Sequence, residues 1–438
     1  MISFACTICV VTSLAEIASI YPTAGGQYHW VAALSPASSR SFAAWITGWI
    51  SIGGQIVLTA SAAFAAGLQT QGLIILDASE SYVPQRYQGM LLYWLILLYA
   101  AALNIWGLRM LPHVNLLSGV VHVLGFVVIV IVLGVTAEKN TASFVFTEVN
   151  NLSGWSNQGV SWLVGLLSTV YPFLGYDAAC HLAEEMHHPS RHVPLAMIGS
   201  VVVNGVIGFI YCIVLLFCTG AIDNVLASPT GFPFMGIFIG ATKSNAATTV
   251  MSALIIFIAI AAAAAGVTST SRTLWAFARD DATPFHHWLS NVNKKSQVPV
   301  RAVMVVTILQ MLLGFIYLGN TTAFNAILAM AIIGVYASYL LPICYMLIHG
   351  RPKLGHHVSG SFKLSKVVGV ALNVISIAWL CLVIVFSTFP SVMPVTPQNM
   401  NYSIVVMAGW LFFGLIYYVL AARKKFSVPI VTDMFVQG

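Results

Sequence analysis

Eleven long apolar runs constrain this chain more than any other feature. They cover 1–20, 41–68, 89–108, 115–136, 160–183, 195–219, 247–274, 301–319, 322–348, 367–389 and 403–421. A membrane span needs roughly 20 mostly apolar residues as a helix, because each backbone N–H and C=O must find its partner inside the segment. A barrel strand would instead alternate apolar and polar side chains over about ten residues. Here the runs are continuous, which predicts helices. Charged residues make up only 7% of the chain, against about 25% in an average soluble domain, so a water-facing exterior is excluded. The expectation is an all-α polytopic membrane protein with about eleven transmembrane helices in one domain, 1–438.

Basic residues set the orientation, since Lys and Arg concentrate in cytoplasmic loops. With the first run entering from outside, one set of alternate loops holds Arg40, Arg109, Arg191, Arg272, Arg279, Lys294, Lys295, Arg301, Arg351, Lys353, Lys363, Lys366, Arg423, Lys424 and Lys425. The other set holds Arg86, Lys139 and Lys243. Fifteen against three places the C-terminus in the cytoplasm and Met1 outside. The net charge of +6 is thereby explained by topology and lipid headgroups, and no nucleic-acid partner is expected.

Sequons at Asn151, Asn320 and Asn401 all fall on the outer side, and Asn151 and Asn401 are the expected glycosylation sites. The seven cysteines lie in or beside helices, which argues against a disulfide framework. Residues 1–20 lack the basic start and small-residue cleavage site of a signal peptide and carry Glu16, so they read as a retained helix. Glu16, near the inner end, is expected to reach the interface.

An ionised group at the bilayer centre costs roughly 2.5–3.5 kcal/mol even on a lenient scale, so acids within spans are informative. Asp177 is the deepest of them, at the end of Ser168-Thr-Val-Tyr-Pro-Phe-Leu-Gly-Tyr-Asp177. Pro172 removes a backbone donor and Gly175 frees the backbone just beyond it. A helix broken in mid-membrane exposes carbonyls and a positive helix end, which is how discontinuous transporter helices hold substrates and ions. Glu184 and Glu185 follow at that helix's C-terminus, where the macrodipole calls for a nearby cation. Arg191 is the local candidate and Arg279 the distant one. Gly53, Gly54 and Gln55, Gly334, Tyr336, Ser338 and Tyr339, and Thr268 to Ser271 give three other helices a small or polar face suited to close packing around a cavity.

Three stretches resemble one family. Ser13-Leu-Ala-Glu-Ile-Ala-Ser-Ile-Tyr-Pro-Thr-Ala-Gly-Gly-Gln-Tyr-His-Trp30 is similar to the end of the second helix and following loop of fungal amino-acid/choline permeases, within the amino acid–polyamine–organocation superfamily. Phe173-Leu-Gly-Tyr-Asp-Ala-Ala-Cys-His-Leu-Ala-Glu-Glu185, with Pro189, Arg191 and Val193-Pro194, resembles the sixth helix and its inner loop. Trp275-Ala-Phe-Ala-Arg-Asp280 with Pro284 resembles the loop between helices eight and nine. The resemblance implies a LeuT-like inverted-repeat bundle of twelve helices, with substrate between the broken first and sixth. It also implies a helix ahead of residue 1, so the chain is expected to be N-terminally truncated relative to the family and to transport poorly alone.

The implied function is secondary active transport, by alternating access, of an amino acid or related amine such as γ-aminobutyrate, choline, a polyamine or an alkaloid. Protons are the implied coupling ion; no cofactor or metal is expected, and the plasma membrane is preferred to the vacuole. Phe173, Gly175, Tyr176, Asp177, Gln55 and Tyr336 are the expected substrate contacts, and Glu184, Glu185, Arg191 and Arg279 the expected gate. Two alternatives come from other classes. One is a membrane metalloenzyme, prompted by His181, His187, His188 and His192 with the pairs His286-His287 and His356-His357; the other is a transporter-like nutrient sensor.

Overall fold

The computed structural model describes residues 1–78, 81–319, 321–353, 360–397 and 399–429, with backbone alone for 321–328 and 353. The sequon at Asn320 and the pair His356-His357 lie outside the described residues. Among them, eleven helices are long and apolar enough to cross a membrane. In chain order these are α1 (Ile2–Ile20), α2 (Arg40–Asp77), α3 (Arg86–Ile105), α4 (Leu111–Thr136), α5 (Gln158–Glu185, broken in the middle) and α6 (Pro189–Cys218). They continue with α7 (Asn245–Arg279), α8 (Val300–Gly319), α9 (Thr321–Tyr345, extended by a π turn Met346–Gly350), α10 (Lys366–Phe386) and α11 (Ser403–Lys425). Polar caps start several of them: Asn157, Ser244 and Ser365 each accept the N–H three residues on, and Gln85 and Gln88 form a reciprocal capping box.

The longest helix is also the most enclosed. α2 runs 38 residues without a proline, about 57 Å at 1.5 Å per residue, so it is long enough to tilt across the bilayer or to project beyond it. α7, α9 and α3 pack along its flanks. A Cβ added to Gly54 would sit 2.7 Å from the backbone of Gly334 and Val335, so α2 and α9 touch backbone to backbone. The stripe of small residues read in the sequence is thus a helix contact, as lipid-embedded packing requires. At the other flank Trp49 Nε1 donates to the Trp410 carbonyl at 3.0 Å and Trp410 Nε1 returns the bond at 2.9 Å, tying α2 to α11. On the opposite side of the bundle α1 packs against α6 and α10. The outward faces of α4, α6 and α11 carry exposed Leu124, Ile131, Val206, Phe209, Phe412 and Leu420, which a bilayer would cover.

Two features depart from the sequence reading. A short helix, Gln27–Leu34, folds back beneath the bundle between α1 and α2 and packs against both α2 and α9. Glu16 does not reach the interface: it is 1% exposed and paired bidentately with Arg351 just beyond the π turn. The Leu364 N–H donates to Glu16 at 2.8 Å, and Arg351 Nε donates to Asn373 at 2.9 Å. A charge pair so fully hydrogen-bonded can be carried inside the bundle.

Loops assigned to one side by their basic residues do meet. Ser19 and Ser190 exchange hydrogen bonds, the Ala24 N–H donates to Glu184, and Tyr28 donates to Asp280. The ends of α1, α5 and α7 and the start of α6 therefore share one face of the protein.

Candidate functional site

α5 breaks where the residues dictate. Its first half ends at Val170; Tyr171–Phe173 make one 3₁₀ turn, Leu174 is extended, and Gly175 sits at φ +90°, a conformation that disfavours any side chain. A 3₁₀ helix, Tyr176–Glu185, then resumes. Asn204 of α6 donates to the Pro172 carbonyl at 2.8 Å, partnering a backbone group at the break. Asp177 lies in the first turn of the second half, where the positive helix end favours a carboxylate.

A cavity of about 360 Å³ opens against this break, within the range of small-ligand sites. Its walls are Gln55, Leu58, Thr59 and Ala62 of α2, Tyr171, Pro172, Leu174, Gly175, Asp177 and Ala178 of α5, and Ala262, Gly266, Ser269 and Thr270 of α7. Asp177 is the one charged residue among the lining residues. Asp177 is 3% exposed and held by polar side chains from several segments. Tyr339 donates to Oδ1 at 2.6 Å; Gln27 and Gln55 donate to Oδ2 at 2.6 and 3.3 Å; His181 Nε2 stands 3.4 Å from the same oxygen. Gln55 is anchored in turn by Thr273, whose hydroxyl donates to Oε1 at 2.9 Å.

Acids and bases from three segments meet on the face shared by the ends of α1, α5 and α7. Arg279 bonds Glu184 at 3.1 and 3.4 Å while lying over the Trp275 ring. Arg272, 4% exposed, bonds Glu185 at 3.1 Å. Asp280 receives Tyr28 at 2.9 Å and faces His29 at 3.1 Å. Burial, and then Asp280 beside it, push the Tyr28 phenol well above the ordinary tyrosine range, so it stays a donor at physiological pH.

Of the expected substrate contacts, Gln55, Gly175 and Asp177 line the cavity together. Phe173 and Tyr176 turn the other way, into a groove shared with His122 and α6, and Phe173 stacks on Phe4. Tyr336 is buried behind Tyr339, ring centroids 6.0 Å apart, and does not line the cavity. The break shifts side chains by an irregular angle, so neighbours in sequence face opposite ways. Among the expected gate residues, Glu184, Glu185 and Arg279 engage, but Arg191 is exposed and, among the described residues, joins neither acid. Arg272 takes the place expected of it. At the two expected glycosylation sites, Asn151 Nδ2 donates to the Trp155 carbonyl at 2.8 Å, and Asn401 Nδ2 donates to the Ser387 and Phe389 carbonyls. Both amides tie their own loops, and a glycan on either would leave one N–H for that task.

Among the described residues, the histidines named in the sequence do not converge into one cluster. His181 is buried beside Asp177, whereas His187, His188 and His192 are exposed. The group that does converge among the described residues, Asp281, His286 and His287, lies on the loop after α7 and is not part of the cavity lining.

Sequence reasoning missed Gln27, His181 and Tyr339 as partners of Asp177. His181 had a signal, four residues after Asp177 and so able to fall on the same helix face. Gln27 had none, since the fold-back of its helix brings it 150 positions in sequence to reach Asp177.

Known proteins carry the same chain plan. The sequence profile of the amino acid permease family matches residues 1–410. A choline transporter of Saccharomyces cerevisiae is 33% identical over 96% of this chain and 74% of its own length. A putative amino acid/polyamine transporter of Macrophomina phaseolina is 32% identical over 91% of this chain and 88% of its own. The amino-acid permease BAT1 homolog of Oryza sativa subsp. japonica is 32% identical over 97% of this chain and 83% of its own. With a broken α5, a cavity against the break and relatives aligned along nearly its whole length, the chain belongs to the amino acid permease family.

Proposed function

We propose that this transporter carries a small organic cation, with a quaternary ammonium such as choline preferred to a zwitterion such as γ-aminobutyrate. The family makes the chain a multi-pass membrane transporter rather than an enzyme. One observation carries the substrate reading: the cavity walls hold a single charge, the Asp177 carboxylate, and no Lys or Arg to meet a substrate carboxylate. A carboxylate offers about four lone-pair sites, and Tyr339, Gln27 and Gln55 already occupy three. That leaves one site for a primary ammonium, which would keep two of its three N–H donors without a carboxylate partner. A quaternary ammonium needs only the negative field and an aromatic face, which Asp177 and Tyr171 supply. The choline transporter among the relatives supports the same choice.

Alternating access would use the inner ion pairs as its gate. Glu184–Arg279 and Glu185–Arg272 hold the end of α5 to α7, and Asp280 holds the Gln27–Leu34 helix to α7. All three must part for the cavity to open inward. The Glu184–Arg279 pair is exposed on both sides and so is worth about 0–1 kcal/mol, weak enough to break in a transport cycle. Counterflow in proteoliposomes tests the substrate reading. Internal unlabelled choline should drive uptake of labelled choline, and γ-aminobutyrate should fail to do so. Equal exchange of both would contradict it.

A further inference from the structure

We infer that His181 is a proton-binding site in competition with the cationic solute, which makes the protein a proton/cation exchanger. The inference rests on the organic-cation reading above and adds the coupling to it. His181 is 1% exposed, and its ring is fixed from both sides. Nδ1 lies 2.9 Å from the Ala24 carbonyl, which can only accept, so Nδ1 carries a hydrogen. Nε2 lies 2.8 Å from Gln55 Nε2 and 3.4 Å from Asp177 Oδ2. Without a proton, Nε2 accepts from the Gln55 amide nitrogen that points at it. In that first state Asp177 gives the cavity a net negative charge.

The same atoms define a second state. A proton on Nε2 turns it into a donor aimed at Asp177 Oδ2, and the two side chains become a neutral pair. The Gln55 amide then meets a donor with a donor; exchanging its ends presents Oε1 to His181 and Nε2 to Thr273 and gives up its bond to Asp177 Oδ2, where the imidazolium replaces it as donor. Thr273 is suited to both states. Its single hydroxyl hydrogen is now shared between Gln55 Oε1 at 2.9 Å and the Ser269 carbonyl at 3.0 Å. After the exchange it donates to Ser269 alone and accepts from Gln55. Gln55 is a wall of the cavity, so the protonation of a buried ring reaches the solute through one amide rotation.

Other titratable groups near the ring are already committed. Tyr339 donates to Asp177, and Tyr176 packs on Tyr339. Glu184 and Glu185, farther along the same helix, are paired with Arg279 and Arg272 of α7. His29 turns to Asp280, and Cys180 faces Met197. His181 is left as the base that faces Asp177. A solute cation beside Asp177 opposes the imidazolium, and the imidazolium cancels the charge that draws the cation. Binding of one breaks the Nε2–H bond of the other state and releases that proton to water. Substrate moving one way and a proton the other is the consequence.

The test measures choline binding to the full chain in detergent with a pH dye in weak buffer. Binding should release close to one proton per choline on the acid side, where affinity should fall about tenfold per pH unit, and progressively fewer as the pH rises. The His181→Gln variant should bind choline with an affinity that no longer varies with pH, and release no proton. Three results would overturn the inference: flat pH dependence in the unaltered protein, proton uptake on binding, or undiminished proton release from His181→Gln. Because the first two need no variant, a failure of His181→Gln to fold does not protect it. An unaltered protein that binds no choline at any pH would overturn the organic-cation reading itself, and the linkage with it.

Discussion

Glu16 and Asp177 are both carboxylates at most 3% exposed within the same bundle, and they are held in opposite ways. Glu16 faces a guanidinium, and the Leu364 N–H and Asn373 complete the pair. Asp177 faces Tyr339, Gln27, Gln55 and His181, and among the described residues no Lys or Arg bonds it. The first arrangement cancels its charge on the spot. The second fixes the carboxylate in place yet leaves the charge to act on whatever enters the cavity. A buried acid with its own cation is part of the scaffold, and one supplied only with neutral donors is available to a ligand.

Removing the counter-ion should separate the two most strongly. Arg351→Met leaves Glu16 buried and unpaired, and should cost about 3–5 kcal/mol, read as a large drop in thermal midpoint in detergent. Adding Glu16→Leu to Arg351→Met should recover most of that loss, since well-packed apolar residues can replace a buried pair. An Arg351→Met protein as stable as its parent would break the comparison at the scaffold end.

The next contrast lies among the neutral partners. Tyr339→Phe strips a donor from Asp177 and should cost about 1–3 kcal/mol, falling on both stability and solute affinity. Asn373→Ala removes the acceptor of Arg351 Nε and should cost a similar amount in stability alone. If Asn373→Ala weakens choline binding as much as Tyr339→Phe, the two acids are not functionally distinct.

Much of this was legible in the sequence. The eleven spans, the break at Pro172 and Gly175 and the depth of Asp177 follow from local chemistry, because a proline, a glycine and an apolar run act on their own helix. The partners were not legible. Arg351 lies 335 positions from Glu16, and Tyr339 lies 162 from Asp177, so only the folded bundle pairs them. Arg191 illustrates the limit: it is six or seven positions from the acids, whereas Arg272 and Arg279 reach them from 87 and 95 positions away. Nearness along the chain counted for less than the meeting of α5 with α7.

A smaller effect is expected at the inner gate. Glu184→Gln should change stability by no more than about 1 kcal/mol, because its pair with Arg279 is open to solvent. If the pair does serve as a gate, the exchange rate should change more than the midpoint does. A midpoint loss as large as that of Arg351→Met would show a structural pair instead.

The central claim, that Asp177 supplies the charge for the solute rather than for the fold, is tested most directly by Asp177→Asn. The substitution keeps the size and most hydrogen bonds and removes the charge. Thermal midpoint and choline counterflow should be measured on the same preparation. The account predicts a midpoint within about 1 kcal/mol of the parent, since no positive partner is orphaned, together with loss of choline exchange. Retained exchange, or a collapse in stability like that of Arg351→Met, would contradict it.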